Sequence, residues 1–246
     1  MPLSSPLVLG AALVVVVILL VMPTTRAMDC MQAKTCADVS PEFKSRDLSE
    51  YLLLALTWPA YYCQKTQSCN NAPSVMRTNK FTIHGLWPNG NPNPCCCAPL
   101  TKLDAAAYAG RMQEMNQYWP RLTFSRFWEH EWTKHGTCSR WHHDQSQYFH
   151  TALDLYSAFR TNNRAARLYT LLQQDQVSLA QLRNIFPEAG FDCSPRVDGF
   201  PPGWYLTELH LCYDEHDLSV RRSCPGSCSR QAQTPITVLK WNQIDT

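Results

Sequence analysis

Two stretches of the chain concentrate side chains that can move protons. Phe127-Trp-Glu-His-Glu-Trp-Thr-Lys-His-Gly-Thr-Cys138 carries two imidazoles, an ammonium and carboxylates, and Phe81-Thr-Ile-His-Gly-Leu-Trp-Pro88 carries a third imidazole. On a helix, at about 100° per residue, His130, Lys134, Glu131 and His135 share an arc of about 140°. His130 with Lys134 and Glu131 with His135 are i,i+4 neighbours. Trp128 and Trp132 fall on the opposite side as anchors, Gly136 ends the helix, and Cys138 can staple that end. Such crowding shifts the pKa of each group, as acid–base sites require. A solvated face with an ordinary Glu–Lys pair is the alternative. Four polar groups on one arc, backed by two tryptophans, favour the site.

Metal chemistry fits these residues poorly. A zinc-binding His-Glu-x-x-His places its histidines four apart on one face. Here His130 and His135 are five apart, and Lys134 would set a positive charge beside the metal. His142-His143 and the triplet Cys95-Cys96-Cys97 lack the paired spacings of a zinc module. No metal or other cofactor is expected. Two imidazoles, a lysine and a glutamate suit cleavage of RNA by its own 2′-hydroxyl. One base removes the 2′ proton, one acid protonates the leaving 5′ oxygen, and cations hold the charged phosphorane. The helix supplies one end of this in-line geometry, so a histidine elsewhere must face it, and His84 is the candidate.

Elements that could position these groups follow from hydrophobic pattern. Tyr51 to Trp58 is an apolar run bounded by Pro59 and is expected as a buried strand. Phe81 to Leu86 is expected as a second strand, with Phe81 and Ile83 on one side and Thr82, His84 and Leu86 on the other. Trp87 to Pro99, rich in proline and asparagine, is expected as an irregular, cross-linked loop. Helices are expected over Leu103–Trp119, Ser125–Thr137, Gln147–Phe159 and Ser178–Ile185, and strands again over Leu206–Tyr213 and Ile236–Leu239. Strands at both ends of a helical centre predict an α+β class.

The 246 residues, 45% hydrophobic and 17% charged, suit one sizeable packed domain. A net charge of +2 excludes a protein that coats polyanions by bulk charge, while leaving room for a local phosphate pocket. Twelve cysteines point to an oxidising compartment. Leu7 to Met22 is an uninterrupted apolar run, short for a membrane span of about 20 residues, and Thr25-Arg26-Ala27 offers a cleavage site. Residues 1–27 are therefore expected as a cleaved signal peptide and 28–246 as a single domain, with no stable membrane association after cleavage. A monomer is the default expectation. No Asn-x-Ser/Thr acceptor occurs, so no N-linked glycan is expected.

FTIHGLWPN and FWEHEWTKHGTC closely resemble the two active-site segments of the ribonuclease T2 family. LLALTWPAYYC is similar to that family's first central strand and LHLCYDEHDLSVRRSCP to its late strand pair, so the resemblance runs from about Ser49 to Cys228. Cysteine placement is most similar to the plant, S-like branch. The resemblance implies a central, mostly antiparallel sheet flanked by helices and stapled by disulfides. It implies His135 as base and His84 as acid, with Glu131 and Lys134 stabilising the pentacoordinate phosphate and His130 binding phosphate. Trp87 would stack on a substrate base. Asn89 stands where some members carry Asp near the base pocket, which leaves base preference open. The implied activity is metal-independent cleavage of single-stranded RNA through a 2′,3′-cyclic phosphate, with an acidic optimum, in a secreted, vacuolar or lysosome-like setting.

The same resemblance implies the disulfides Cys63–Cys69, Cys193–Cys228 and Cys212–Cys224, and a bridge from one of the triplet, taken as Cys97, to Cys138. Adjacent cysteines bridge only with strain, so Cys30 and Cys36 are expected to pair with the two spare members of Cys95–Cys97. His142, His143, His150, His210 and His216 are expected as surface or structural histidines. A recognition protein on the same scaffold and an inactive storage or defence protein are the rival functions. Retention of both His84 and His135 weighs against the latter.

Overall fold

The leucine run at Tyr51–Thr57 forms the central strand β1, and Leu52, Leu54 and Leu56 are fully buried on one face of it. Burying each such side chain contributes about 1.5–3 kcal/mol. The structure is a computed structural model and describes residues 28–30, 32–66, 69, 77–121, 125–197, 199–228 and 235–244. Residues 1–27, expected as a cleaved leader, lie outside the described residues.

Strand β2 (Thr82–Asn89) pairs antiparallel with β1 on one side, and β5 (Trp204–Asp214) pairs antiparallel with β1 on the other. Strands β4 (Gly190–Ser194) and β6 (Arg221–Arg222) also pair antiparallel with β5. Strand β7 (Ile236–Thr237) joins β5 in parallel and β3 (Gln176–Val177) antiparallel. The sheet is thus mostly antiparallel but mixed. No helix among the described residues is long and apolar enough to cross a membrane.

Helices cover one face of this sheet. Leu52, Leu54, Leu56, Ile83, Leu86, Leu209 and Leu211 pack there against Trp119, Trp128, Trp132, Tyr148, Phe149 and Tyr156. The long helix α5 (Gln145–Arg160) starts at Asp144, whose carboxylate accepts from the Gln147 N–H at 2.9 Å. Its Tyr148 and Tyr156 hydroxyls donate to the Leu86 and Phe81 carbonyls at 2.9 and 2.6 Å, which fixes it over β2. The opposite face of the sheet is small and separate, with Leu53, Ala55 and Cys212 packed against Trp87.

Several elements differ from expectation. The apolar pattern over Leu103–Trp119 forms two short helices, α2 (Ala106–Ala109) and α3 (Met112–Tyr118), because the chain breaks at Gly110 and Arg111. The helix expected over Ser125–Thr137 is α4 (Phe127–Lys134); His135 caps it and Gly136–Cys138 turns as a 3-10 helix. Trp87–Asn89 belongs to β2 and not to the following loop. Helices α1 (Pro59–Thr66) and α6 (Asn163–Leu171) and strand β4 were not expected, whereas α7 (Leu179–Ile185) sits where helical spacing over Ser178–Ile185 predicts, and Ser178 and Gln181 close a capping box at its start.

All twelve cysteines are bonded: Cys30–Cys95, Cys36–Cys96, Cys97–Cys138, Cys63–Cys69, Cys193–Cys228 and Cys212–Cys224. Cys96 adopts a left-handed backbone, φ 57°, and its N–H donates to the Lys134 carbonyl at 2.8 Å. This turn lets three consecutive cysteines reach three partners, so the N-terminal segment and the end of α4 are both tied to one loop.

Candidate active site

His84 owes its position to an irregularity in β2. Ala55 pairs with Gly85 and Leu56 with Ile83, so His84 is an extra residue bulged out of the ladder. The bulge puts Ile83 and Leu86 together on the helix-covered face, where strict alternation had expected them on opposite sides. Past the bulge, Gly85 and Trp87 lie on the open face. A Cβ at Gly85 would stand 2.1 Å from Glu131 Oε2 and 2.2 Å from Trp87 Nε1, so only glycine permits this approach.

The Trp119 indole N–H donates to the His84 carbonyl at 2.7 Å, and the Trp128 indole N–H donates to the Trp119 carbonyl at 2.9 Å. Through Trp119, helix α4 is therefore registered against the His84 bulge. Gly136 lets the chain pass the Trp132 ring, 2.3 Å from where a Cβ would sit. The Cys97–Cys138 bond fastens the same turn. These contacts bring His130, Glu131, Lys134 and His135 to the neighbourhood of His84.

Trp87 is the centre of the arrangement. Its indole N–H donates to Glu131 Oε2 at 2.9 Å. Its ring stacks on His135 with centroids 5.0 Å apart, and meets His84 edge-on at 4.9 Å. One face of Trp87 is thus covered by His135, which differs from a ring left open for a substrate base. Asn89 lies two residues further along the same face, but it is 8% exposed and offers a base little surface.

The structure adds two residues that the sequence did not single out. His84 Nδ1 lies 2.6 Å from Glu208 Oε1, and Glu208 Oε2 lies 2.9 Å from His210 Nε2. Thr57 Oγ1 also donates to Glu208 Oε1 at 3.2 Å, and His210 Nε2 lies 3.7 Å from Asp192 Oδ2. Glu208 is aimed by a second bulge, since Asp192 pairs with Glu208 but Cys193 pairs with Leu206. His210, expected as structural, is buried as one link of this chain. The available signal was the polar side of an apolar strand, Glu208 and His210 alternating with Leu209 and Leu211.

These surroundings drive the two histidines apart. Burial pushes His84 down, but the Glu208 carboxylate, by charge and hydrogen bond, outweighs it, and His84 ends raised from 6.5 to about 9. Burial pushes His135 well below its ordinary 6.5, and the positive charges of Lys134, His130 and His84 add to this. Burial and Lys134 also lower His130. Burial raises the Glu131 carboxyl against the pull of His84 and the Trp87 hydrogen bond. Burial would raise Glu208 as well, yet His84 and His210 hold it far below the usual carboxylate range. His210 is pushed down by burial and raised overall by Glu208 and Asp192.

Asp192, Glu208 and His210 are also the one group among the described residues with donor atoms close enough, within 4.8 Å, to hold a cation. Both Glu208 oxygens are already engaged by histidines, so the charge of this group is matched internally. Two cavities flank the site. One of about 380 Å³ is lined by His84, Glu208, Asp192, Tyr61 and Lys65, and one of about 280 Å³ by His130, Lys134, Arg126 and Lys34. An imidazole of lowered pKa and one of raised pKa, both packed on one indole with Lys134 beside them, can take a proton from one oxygen and give one to another.

Residues 49–228 match the Ribonuclease T2 family. Extracellular ribonuclease LE of Solanum lycopersicum is 38% identical over 210 residues, covering 76% of this chain and 86% of that protein. Ribonuclease 1 of Arabidopsis thaliana is 30% identical over 204 residues, covering 76% of this chain and 86% of that protein. Among solved structures, RNase NT in complex with 5′-AMP superposes with a TM-score of 0.59 at 26% identity, covering 72% of this chain and 91% of that one.

Proposed function

The chain belongs to the ribonuclease T2 family and is a T2-type endoribonuclease, and from that premise we propose that it cleaves single-stranded RNA by metal-independent acid–base transphosphorylation. His135, held neutral, takes the proton of the 2′-hydroxyl. The 2′ oxygen attacks phosphorus, and the bond to the 5′ oxygen breaks as the His84 imidazolium donates its proton there. The products are a 2′,3′-cyclic phosphate end and a 5′-hydroxyl end. Lys134, His130 and Glu131 surround the phosphate and stabilise its charge in the pentacoordinate state. Trp87 spaces the two imidazoles and ties Glu131 to them.

The observation that carries this mechanism is the placing of two imidazoles against one indole, with His84 2.6 Å from the Glu208 carboxylate, which raises it to about 9, and His135 stacked on Trp87 without such a carboxylate and pushed well below 6.5 by burial. A pair so separated supplies base and acid in their working forms together. Its pH profile rises as His135 loses its proton, below 6.5, and falls as His84 loses its own near 9. Activity should therefore extend through neutrality, broader than the acidic optimum implied by resemblance. Six disulfides support passage through an oxidising compartment, and hence a secreted or vacuole-like destination.

The test is cleavage of a defined single-stranded RNA by the chain in EDTA from pH 4 to 10, beside His84→Ala and His135→Ala, with end-group analysis. Cyclic phosphate ends, lost in both variants, are expected. Cleavage that needs a divalent metal, or that survives either substitution, would overturn the mechanism.

A further inference from the structure

The segment before Ser49 lies outside the family match, yet it builds one wall of a cavity against the proposed phosphate-binding face of α4. The cavity, of about 280 Å³, is lined by Lys34, Val39 and the Cys36–Cys96 bridge on one side, and by Arg126, His130 and Lys134 on the other. We propose that this cavity is an additional RNA subsite, which holds the ribose-phosphate of a nucleotide next to the pair joined by the scissile bond.

Four observations support it. First, the segment is pinned where it stands, by Cys30–Cys95 and Cys36–Cys96, and Val39 is buried at 4% exposure. Second, the Cys96 N–H donates to the Lys134 carbonyl at 2.8 Å, so the wall is joined to the backbone that carries the phosphate ligands. Third, the lining charge suits a phosphodiester. Glu129, the one carboxylate of the lining, lies 3.8 Å from Arg126, which leaves Lys34 and Lys134 as the cations in excess, and the nearby Asp38 carboxylate is taken by the Thr35 N–H and hydroxyl. Fourth, the volume is near the lower end of ligand sites, about 300 Å³, which suits one nucleotide unit and not a longer stretch. Resting on the catalytic roles proposed above, an RNA strand whose scissile phosphate contacts His130 and Lys134 must continue past them, and this cleft shares both residues.

The experiment compares two substrates. One is a dinucleoside monophosphate; the other is a hexanucleotide, 2′-O-methylated except at one central ribose, so that each has a single cleavable bond. The ratio of kcat/KM for the hexanucleotide to that for the dinucleotide is measured for the wild type, Lys34→Glu, Ala33→Trp and Arg183→Glu. Lys34 is exposed, and Ala33→Trp fills the cleft from the segment side. Arg183, exposed on α7, makes the same charge change away from the cleft. Lys34→Glu and Ala33→Trp should each lower the ratio about tenfold, the size of one lost charge-assisted contact, while Arg183→Glu keeps it. Lys34→Glu should also flatten the log–log salt dependence on the hexanucleotide by about 0.7 or more, as for one phosphate contact on a single strand. A ratio that stays within twofold of wild type in both cleft variants, with both substrates cleaved, overturns the subsite alone. A wild type that cleaves neither substrate overturns the catalytic roles with it.

Discussion

Replacing Glu208 with Gln isolates the charge that holds the His84 proton. The amide keeps an oxygen to accept from His84 Nδ1–H and turns its NH2 toward His210 Nε2, so the ring keeps its orientation while the negative charge disappears. Without that charge, burial and Lys134 push His84 down and only Glu131 pulls it up. From about 9 it should return to 6.5 or lower, a difference of about 3 kcal/mol between the protonation states. At pH 7.5 the protonated fraction then drops from nearly all to about one tenth, so kcat/KM falls about tenfold there; at pH 5 it changes little. The assay is kcat/KM on a dinucleotide from pH 4 to 10, for wild type and Glu208→Gln. The falling limb of the variant should move from near 9 to near 6.5. A limb that stays in place, with activity lowered equally at every pH, would refute the reasoning and leave Glu208 an orienting group only.

Other perturbations test the same geometry. Gly85→Ala should cut activity more than tenfold with modest loss of stability, because the new methyl must displace either Glu131 or Trp87 from their 2.9 Å bond; kinetics beside thermal melting separate the two effects. The double variant Cys97→Ser/Cys138→Ser opens a 41-residue separation, and chain entropy puts its cost at about 4 kcal/mol, to be read from denaturant unfolding. Stability should also track the His84 proton. Its folded pKa lies above the unfolded value, so its stabilisation is complete below 6.5 and lost as pH rises toward 9. The wild-type Tm should decline across that window and that of His84→Ala should decline less.

Much of this protein is dictated locally. The leucines of β1, the capping box of α7 and the tryptophan spacing that anchors α4 are set by side chains within a few residues of one another, so they are legible without a fold. The four polar groups of 130–135 share an arc through helical geometry alone. The break between α2 and α3 shows the limit of that logic, since an apolar period continues across Gly110 although the helix does not. Pro59 was legible as the end of a strand and equally opens α1, because proline suits both positions.

What only the tertiary structure decided are relations between residues far apart in the chain. Hydrophobic alternation carries no mark of a bulge, so the turning of His84 out of β2 depends on its register with β1. Glu208, 124 positions from His84, reaches it only because β5 lies beside β1 with a bulge of its own. The division of labour between the two histidines has the same origin: identical imidazoles differ because one meets the Glu208 carboxylate, while the other is desolvated by burial beside the positive charges of Lys134, His130 and His84. Cysteine count points to an oxidised, cross-linked chain, but that Cys30 meets Cys95 and Cys36 meets Cys96 is set by the fold, in which Cys96 takes a left-handed backbone. Sequence specified the chemical groups and their local faces; packing at a distance set their contacts and their charge, because electrostatic shifts depend on burial and separation in space.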